Sequence, residues 1–207
     1  MHTLNNGETI GFFSPSTPIT ALTPKRLQQG LQFLKSKGFN LKPGNLTGKR
    51  DYYRSGSIEA RAEELNALIR DPDVRCIMST IGGSNSNAIV PYIDYEAFEK
   101  DPKIIIGFSD VTAILLAIYA KTGVTTFYGP ALVASFGEWE PFNEMTYESF
   151  KELLVDPQHL PYTYKQPEWW TEEHINWETQ KRSKIQTRNK WLTLKEGKAS
   201  GRLIAGN

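Results

Sequence analysis

A chain of 207 residues is long enough to bury a sizeable core in one or two domains. Its formal net charge of +1 supplies no field for a nucleic-acid or membrane surface, and a single cysteine, Cys76, excludes a disulfide framework or a cysteine metal site and points to a reducing compartment. No stretch has the length to span a bilayer and the N-terminus has no secretory pattern, so the expectation is a soluble cytoplasmic protein.

Thr9–Phe13 reads as a first strand, left through the Pro/Ser/Thr cluster Ser14–Pro18. Such loops line the ligand crevice of open α/β sheets, although a plain connection fits these residues equally. Thr23-Pro24 opens a helix with Pro at its first position; Leu27, Leu31 and Leu34 form its apolar stripe and Gly38 closes it. Phe39–Lys42 is a short second strand. The segment from Gly44 to Gly56 is basic and aromatic, with Lys49, Arg50 and Arg54 around Tyr52 and Tyr53, and suits either an anionic ligand or solvent. Ser57 caps the next helix, where Ile58, Ala62, Leu65 and Ile69 recur at helical spacing until Asp71-Pro72. Arg75–Ser79 is the third strand, with Cys76 a buried small hydrophobe.

The loop Thr80–Asn87 contains Gly82-Gly83, followed by Ser84, Asn85, Ser86 and Asn87. Adjacent glycines allow close approach to a substrate and expose N–H groups, one half of an oxyanion hole; a Gly/Asn turn is the structural alternative. Asp94–Glu99 is a short helix. Then comes the stretch around which the chain is organised. Ile104–Ile106 is a buried strand, Gly107-Phe108-Ser109-Asp110 a sharp turn, and Val111–Tyr119 an apolar helix. That succession has the geometry of a nucleophile elbow, with Val111 where the usual second glycine stands. Ser109 is the candidate nucleophile at the corner, where the helix N-terminus stabilises negative charge; it also suits a helix N-cap.

Thr125–Tyr128 is a further strand, followed by Gly129-Pro130-Ala131, and Asn143–Leu154 an amphipathic helix with Tyr147, Phe150 and Leu154 on one side. The alternation predicts an α/β domain over residues 1–157, a parallel sheet flanked by helices. Residues 158–207 form a Trp-rich linker or flap. Trp169, Trp170, Trp177 and Trp191 lie there, able to stack on a ligand or pack on a neighbour. The chain reaches Gly201–Asn207 as if starting another strand. His2, His159 and His174 lack metal-ligand spacing, and no metal or cofactor is expected.

Taken together, Ile10–Ser16, Ile81–Asn87, Pro91–Tyr95, Gly107–Asp110, Phe127–Pro130 and Gly201–Asn207 resemble the serine LD-carboxypeptidase family, and within it the microcin C self-immunity branch. The resemblance covers essentially the whole chain. It implies a flavodoxin-like or class I glutamine amidotransferase-like N-terminal domain and a smaller β-rich C-terminal domain. It also implies a hydrolase with a Ser-Glu-His triad. Ser109 maps onto the nucleophile, and the Asp110 N–H with one from Gly82-Gly83, assigned to Gly83, onto the oxyanion hole. Gly82, Ser84 and Asn85 map onto the substrate site. Trp169 or Trp170 maps onto a linker aromatic that stacks on a nucleotide base.

By the same likeness the substrate is a small peptide or an aminoacyl-nucleotide, and the protein a homodimer. The Ser-Asn-Ser-Asn run favours the self-immunity branch over the murein branch, which removes a terminal D-residue from peptidoglycan tetrapeptides. The family's glutamate and histidine belong to the C-terminal domain, and no histidine here falls in the matching motif. The expectation is therefore an N-terminal portion with little or no peptidase activity by itself. A non-catalytic peptide- or nucleotide-binding domain and an interaction protein are the competing classes.

Overall fold

The computed structural model describes residues 3–157 and 161–201. His2, His159 and the strand expected after Gly201 lie outside the described residues. β1 (Thr9–Phe13) is followed by a short helix, α1 (Ile19–Leu22), which the sequence reading passed over. Then come α2 (Pro24–Ser36), β2 (Asn40–Pro43), α3 (Ile58–Arg70) and β3 (Val74–Ser79). α4 (Tyr95–Lys100), β4 (Ile104–Gly107), α5 (Thr112–Thr122), β5 (Phe127–Tyr128) and α6 (Phe142–Phe150) complete the layered body. Ser57 does cap α3, accepting the Ala60 N–H at 3.2 Å, and Asp94 caps α4 by accepting the Ala97 N–H. Such a cap contributes roughly 1 kcal/mol.

The five strands pair in the order β2-β1-β3-β4-β5, every pair parallel. This is the flavodoxin-like order, whose switch point lies between β1 and β3. The period-two alternation of the strands explains why both faces are apolar. Ile10, Phe12, Cys76, Met78, Ile104 and Ile106 face α2 and α6, where Leu27, Leu34, Tyr147 and Phe150 cover them. Phe13, Ile77 and Ile105 point the other way onto α3 and α5, against Leu65, Leu68, Ile69, Ile114 and Ile118. Gly11 sits on that second face because a Cβ would lie 2.9 Å from Leu68 Cδ2. Burial pushes the Cys76 thiol pKa up, as a core hydrophobe requires.

Two departures from the sequence reading have physical causes. The helix expected through Leu154 is α6 followed by a wider π turn, Lys151–Val155, that still buries Leu154. The segment expected to be a linker or flap with exposed tryptophans is docked on the body in part. Trp169–Trp170 (β6) pairs antiparallel with Thr187–Arg188 (β7). Between them Trp177 packs on the α2/α6 core, its ring 4.1 Å from the Arg26 guanidinium carbon. Trp177 therefore does not belong with the exposed tryptophans.

Arg26, 2% exposed, is the hub of this docking. Its guanidinium donates to Val133 O, Ala134 O, Gln180 Oε1 and Glu138 Oε2. Glu138 also accepts from Lys184 Nζ and Gln180 Nε2. One buried carboxylate thus ties α2 and the 177–184 segment together.

Burial alone would push the Glu138 carboxyl up, but the hydrogen bonds from Arg26 and Lys184 outweigh it and hold the group at about 2. A carboxyl depressed in the fold stabilises above its unfolded pKa and loses that contribution as pH falls through the folded one. The stability that Glu138 contributes is expected to fade from about pH 4.5 down to about pH 2. Glu138→Gln should flatten that acid limb in urea titrations. At neutral pH it should cost about 3 kcal/mol, because a buried guanidinium loses its carboxylate.

Candidate active site

Three loops leave the carboxyl ends of β1, β3 and β4 and meet at the switch point. The first, Ser14–Thr17, is held from below by a buried carboxylate: Glu64 accepts the Ser14 N–H at 2.7 Å and the Leu46 N–H at 2.8 Å. Desolvation pushes the Glu64 pKa up and these two donors pull it partly back. From the side, Ser55 donates its N–H to Ser16 O and its hydroxyl to Ser14 O. The second loop follows Thr80, whose N–H donates to Phe13 O; further along, Thr17 N–H donates to Gly82 O at 3.2 Å.

The third loop is the elbow. Ser109 has φ 61°, one of two non-glycine residues with positive φ among those described. A left-handed serine costs of order 1–3 kcal/mol and persists only where its surroundings over-determine it. Here they do. Thr112 Oγ1 donates to Ser109 O at 2.5 Å, and Ser86 Oγ to Asp110 O at 2.5 Å. The Asp110 carboxylate accepts the Asn85 and Ser86 N–H groups, each at 2.9 Å. Gly107 precedes the turn because a Cβ there would sit 2.5 Å from Ser79 Oγ.

The side chain of Ser109 caps nothing, so the N-cap reading does not hold. Ser109 opens a single 3-10 turn, Ser109–Val111, and the cap residue of α5 is Val111, which makes no side-chain cap. Ser109 is half-buried, and its Oγ has no hydrogen-bond partner among the described residues.

Against this hydroxyl lies Gly82. A Cβ on Gly82 would stand 3.0 Å from Ser109 Cβ and 3.1 Å from both Ser109 Oγ and the Asp110 nitrogen, so the bare backbone forms one wall of the corner. Gly83 has φ +155°, and a Cβ there would run into Ser16 Oγ. The N–H groups of Gly83 and Asp110 make no backbone hydrogen bond among the described residues. Asp110 opens the first turn before α5, where amide groups lack intrahelical acceptors.

The expected residues Ser109, Asp110, Gly82, Gly83, Ser84 and Asn85 are therefore neighbours. Trp169 and Trp170 are not drawn to them by any described contact; they lie on the β6–β7 ribbon, with Arg188 6.0 Å from the Trp169 ring. His174 is exposed on the linker. Tyr52 and Tyr53 remain exposed on a turn closed by the Asp51–Arg54 ion pair. A separate cleft of about 630 Å³ between α6 and residues 161–165 is lined by Glu148, Lys151 and Glu152 and holds none of the elbow. Among the described residues no cluster of three His, Cys, Asp or Glu side chains is placed to hold a metal.

Sequence reasoning passed over Arg61, and took in Ser16 and Ser86 as members of their loops without a role of their own. Ser16 Oγ accepts the Ser84 and Asn85 N–H groups at 3.0 and 3.2 Å and donates to Asn85 Oδ1 at 2.9 Å. The usable signal for Arg61 was a cation three residues after Ile58, next to the apolar stripe of α3.

The model for the LD-carboxypeptidase N-terminal domain matches residues 10–129. The chain belongs to the LD-carboxypeptidase family. It is 59% identical over 204 residues to a candidate carboxypeptidase of Vibrio cholerae, covering 99% of this chain and 61% of that protein. It is 53% identical over 203 residues to the microcin C7 self-immunity protein MccF of Escherichia coli, covering 97% of this chain and 59% of that one. A solved MccF structure in complex with aspartyl sulfamoyl adenosine superposes with a TM-score of 0.87 at 54% identity, over 91% of this chain and 57% of that one. The chain thus spans about three fifths of the length of these curated relatives.

Gly83→Ala should destabilise the protein by about 2 kcal/mol in urea denaturation, from its backbone angle and its clash with Ser16. Adding Ser16→Gly should not restore it, because the clash with Thr17 Oγ1 stays and the Ser84 and Asn85 N–H groups lose their acceptor.

Proposed function

We propose that this chain carries the nucleophile and oxyanion hole of a serine hydrolase that cleaves an aminoacyl-nucleotide-like substrate. The observation that supports it best is Ser109, with an unbonded hydroxyl on a strained strand-to-helix corner, facing the backbone of Gly82. An uncommitted hydroxyl in such a position is poor as structure and well suited to attack.

In this reading Ser109 Oγ adds to the acyl carbon, giving up its proton to a base. The carbonyl oxygen becomes an oxyanion that accepts hydrogen bonds from the Gly83 and Asp110 N–H groups, reinforced by the turn at the head of α5. Collapse of the adduct expels the nucleotide-bearing leaving group and leaves an acyl-serine, which water then hydrolyses. A serine needs a base within reach. The resemblance assigns that role to the Glu and His of a C-terminal domain; among the described residues the carboxylate beside Ser109, Asp110, is engaged by the Asn85 and Ser86 N–H groups.

The choice of an aminoacyl-nucleotide over a murein tetrapeptide rests on the 53% identity to MccF and on the compounds in its solved structures, glutamyl sulfamoyl guanosine and aspartyl sulfamoyl adenosine.

In the whole protein, Ser109→Ala should lower kcat for hydrolysis of an aminoacyl sulfamoyl adenosine at least about 10³-fold with little change in ligand affinity. Cleavage of an L,D-tetrapeptide in preference would transfer the assignment to the murein branch. Undiminished turnover in Ser109→Ala would end the serine-hydrolase reading.

A further inference from the structure

Arg61 is the largest fully buried side chain described, 1% exposed, and its hydrogen bonds all end on neutral oxygens. Nε donates to Gly56 O at 3.1 Å; Nη1 donates to Pro15 O at 2.6 Å, Asn85 O at 3.0 Å and Asn85 Oδ1 at 2.8 Å. Burying a guanidinium without a carboxylate is costly. The cost is borne at the junction of the loop after β1, the start of α3 and the diglycine turn.

The consequence falls on Asn85. An arginine can only donate hydrogen bonds, so the side-chain oxygen of Asn85 must face it. Ser16 Oγ donates to the same oxygen, which fills both of its lone pairs. The Asn85 N–H is held by Ser16 Oγ and the Asp110 carboxylate, and its C=O by Arg61. Only the side-chain NH₂ is left, and Nδ2 has no acceptor among the described residues although Asn85 is half-buried. Two amide donors are thus fixed in direction, two residues along the turn from Gly83.

We infer that Arg61 is a positioning residue that acts through Asn85, and that Asn85 Nδ2 is the donor that reads an acceptor oxygen on the acyl half of the substrate. This rests on the hydrolase reading above and names the atom that recognises the acyl group. The basic side chain never meets substrate; it fixes which way the amide points. Lysine cannot replace it, because one ammonium cannot span Gly56 O and the Asn85 and Pro15 oxygens as a planar fork does.

The test uses the whole protein in a Ser109→Ala background, so that ligand is bound and not cleaved. Calorimetry would compare aspartyl sulfamoyl adenosine with adenosine monophosphate, alongside thermal melting. Asn85→Asp keeps an acceptor for Arg61 and Ser16 but removes the donor. It should hold the melting temperature, weaken aspartyl sulfamoyl adenosine about tenfold or more, and leave adenosine monophosphate unchanged. Arg61→Lys should weaken the same ligand, and the Arg61→Lys/Asn85→Ala pair should lose no more than Asn85→Ala alone, since one residue acts through the other.

Unchanged affinity for aspartyl sulfamoyl adenosine in a folded Asn85→Asp protein overturns the inference and leaves the hydrolase reading in place. Equal losses for both ligands overturn it too, showing a turn that has merely collapsed. If the Ser109→Ala protein binds no acyl-nucleotide and the unsubstituted protein cleaves none, the aminoacyl-nucleotide reading fails and this inference with it.

Discussion

The structure turns on a close approach: the backbone of Gly82 against the Cβ and hydroxyl of Ser109, with Asp110 N beside them. A Cβ at position 82 would crowd all three atoms at 3.0–3.1 Å, closer than ordinary van der Waals contact. Ser109 in turn must take φ 61° to present its hydroxyl there. Each loop is in an unfavourable state alone, and each is held by the other. The Asp110 carboxylate grips the Asn85 and Ser86 amides, and the Ser86 hydroxyl returns a bond to Asp110 O. Strain of this kind survives only where many contacts fix it.

The rest of the fold supplies the rigidity that this clamp needs. Parallel strands buried on both faces bring β1, β3 and β4 to a common end, so loops far apart in sequence exit side by side. Beneath the first loop, Glu64 and Arg61 are buried charges that hold backbone groups rather than each other. Both are expensive to bury and neither adds apolar surface. Their effect is to fix the height and direction of the Ser14–Thr17 loop, and through Ser16 the diglycine turn.

A second charged cluster, Arg26 with Glu138 and Lys184, does separate work at the α2 side of the sheet. It draws the Trp177–Lys184 segment onto the body, while Trp169 and Trp170 pair with Thr187 and Arg188 in a two-stranded ribbon. The segment is therefore neither a layer of the domain nor a free strap.

The strands, the capped helices and the elbow were legible because each is written in local chemistry. A continuous apolar run, a Ser or Asp before a helical stripe, and glycines at a corner act over a few residues. The resemblance of the motifs carried the family and singled out Ser109 as the candidate nucleophile. What local pattern could not carry was partnership across distance. That Arg61 would face Asn85, that Ser16 would bind the amides of residues 84 and 85, and that Arg26 would reach Glu138 and Trp177 depend on loops made neighbours by the sheet order. A buried arginine and a solvated one look alike in sequence, because burial is decided by what packs around the side chain and not by the side chain. The sequence alone determined the elements and the hydroxyl at the corner; the tertiary structure decided which donors and charges surround it, since hydrogen bonds form between groups that folding, not chain order, brings within 3 Å or so.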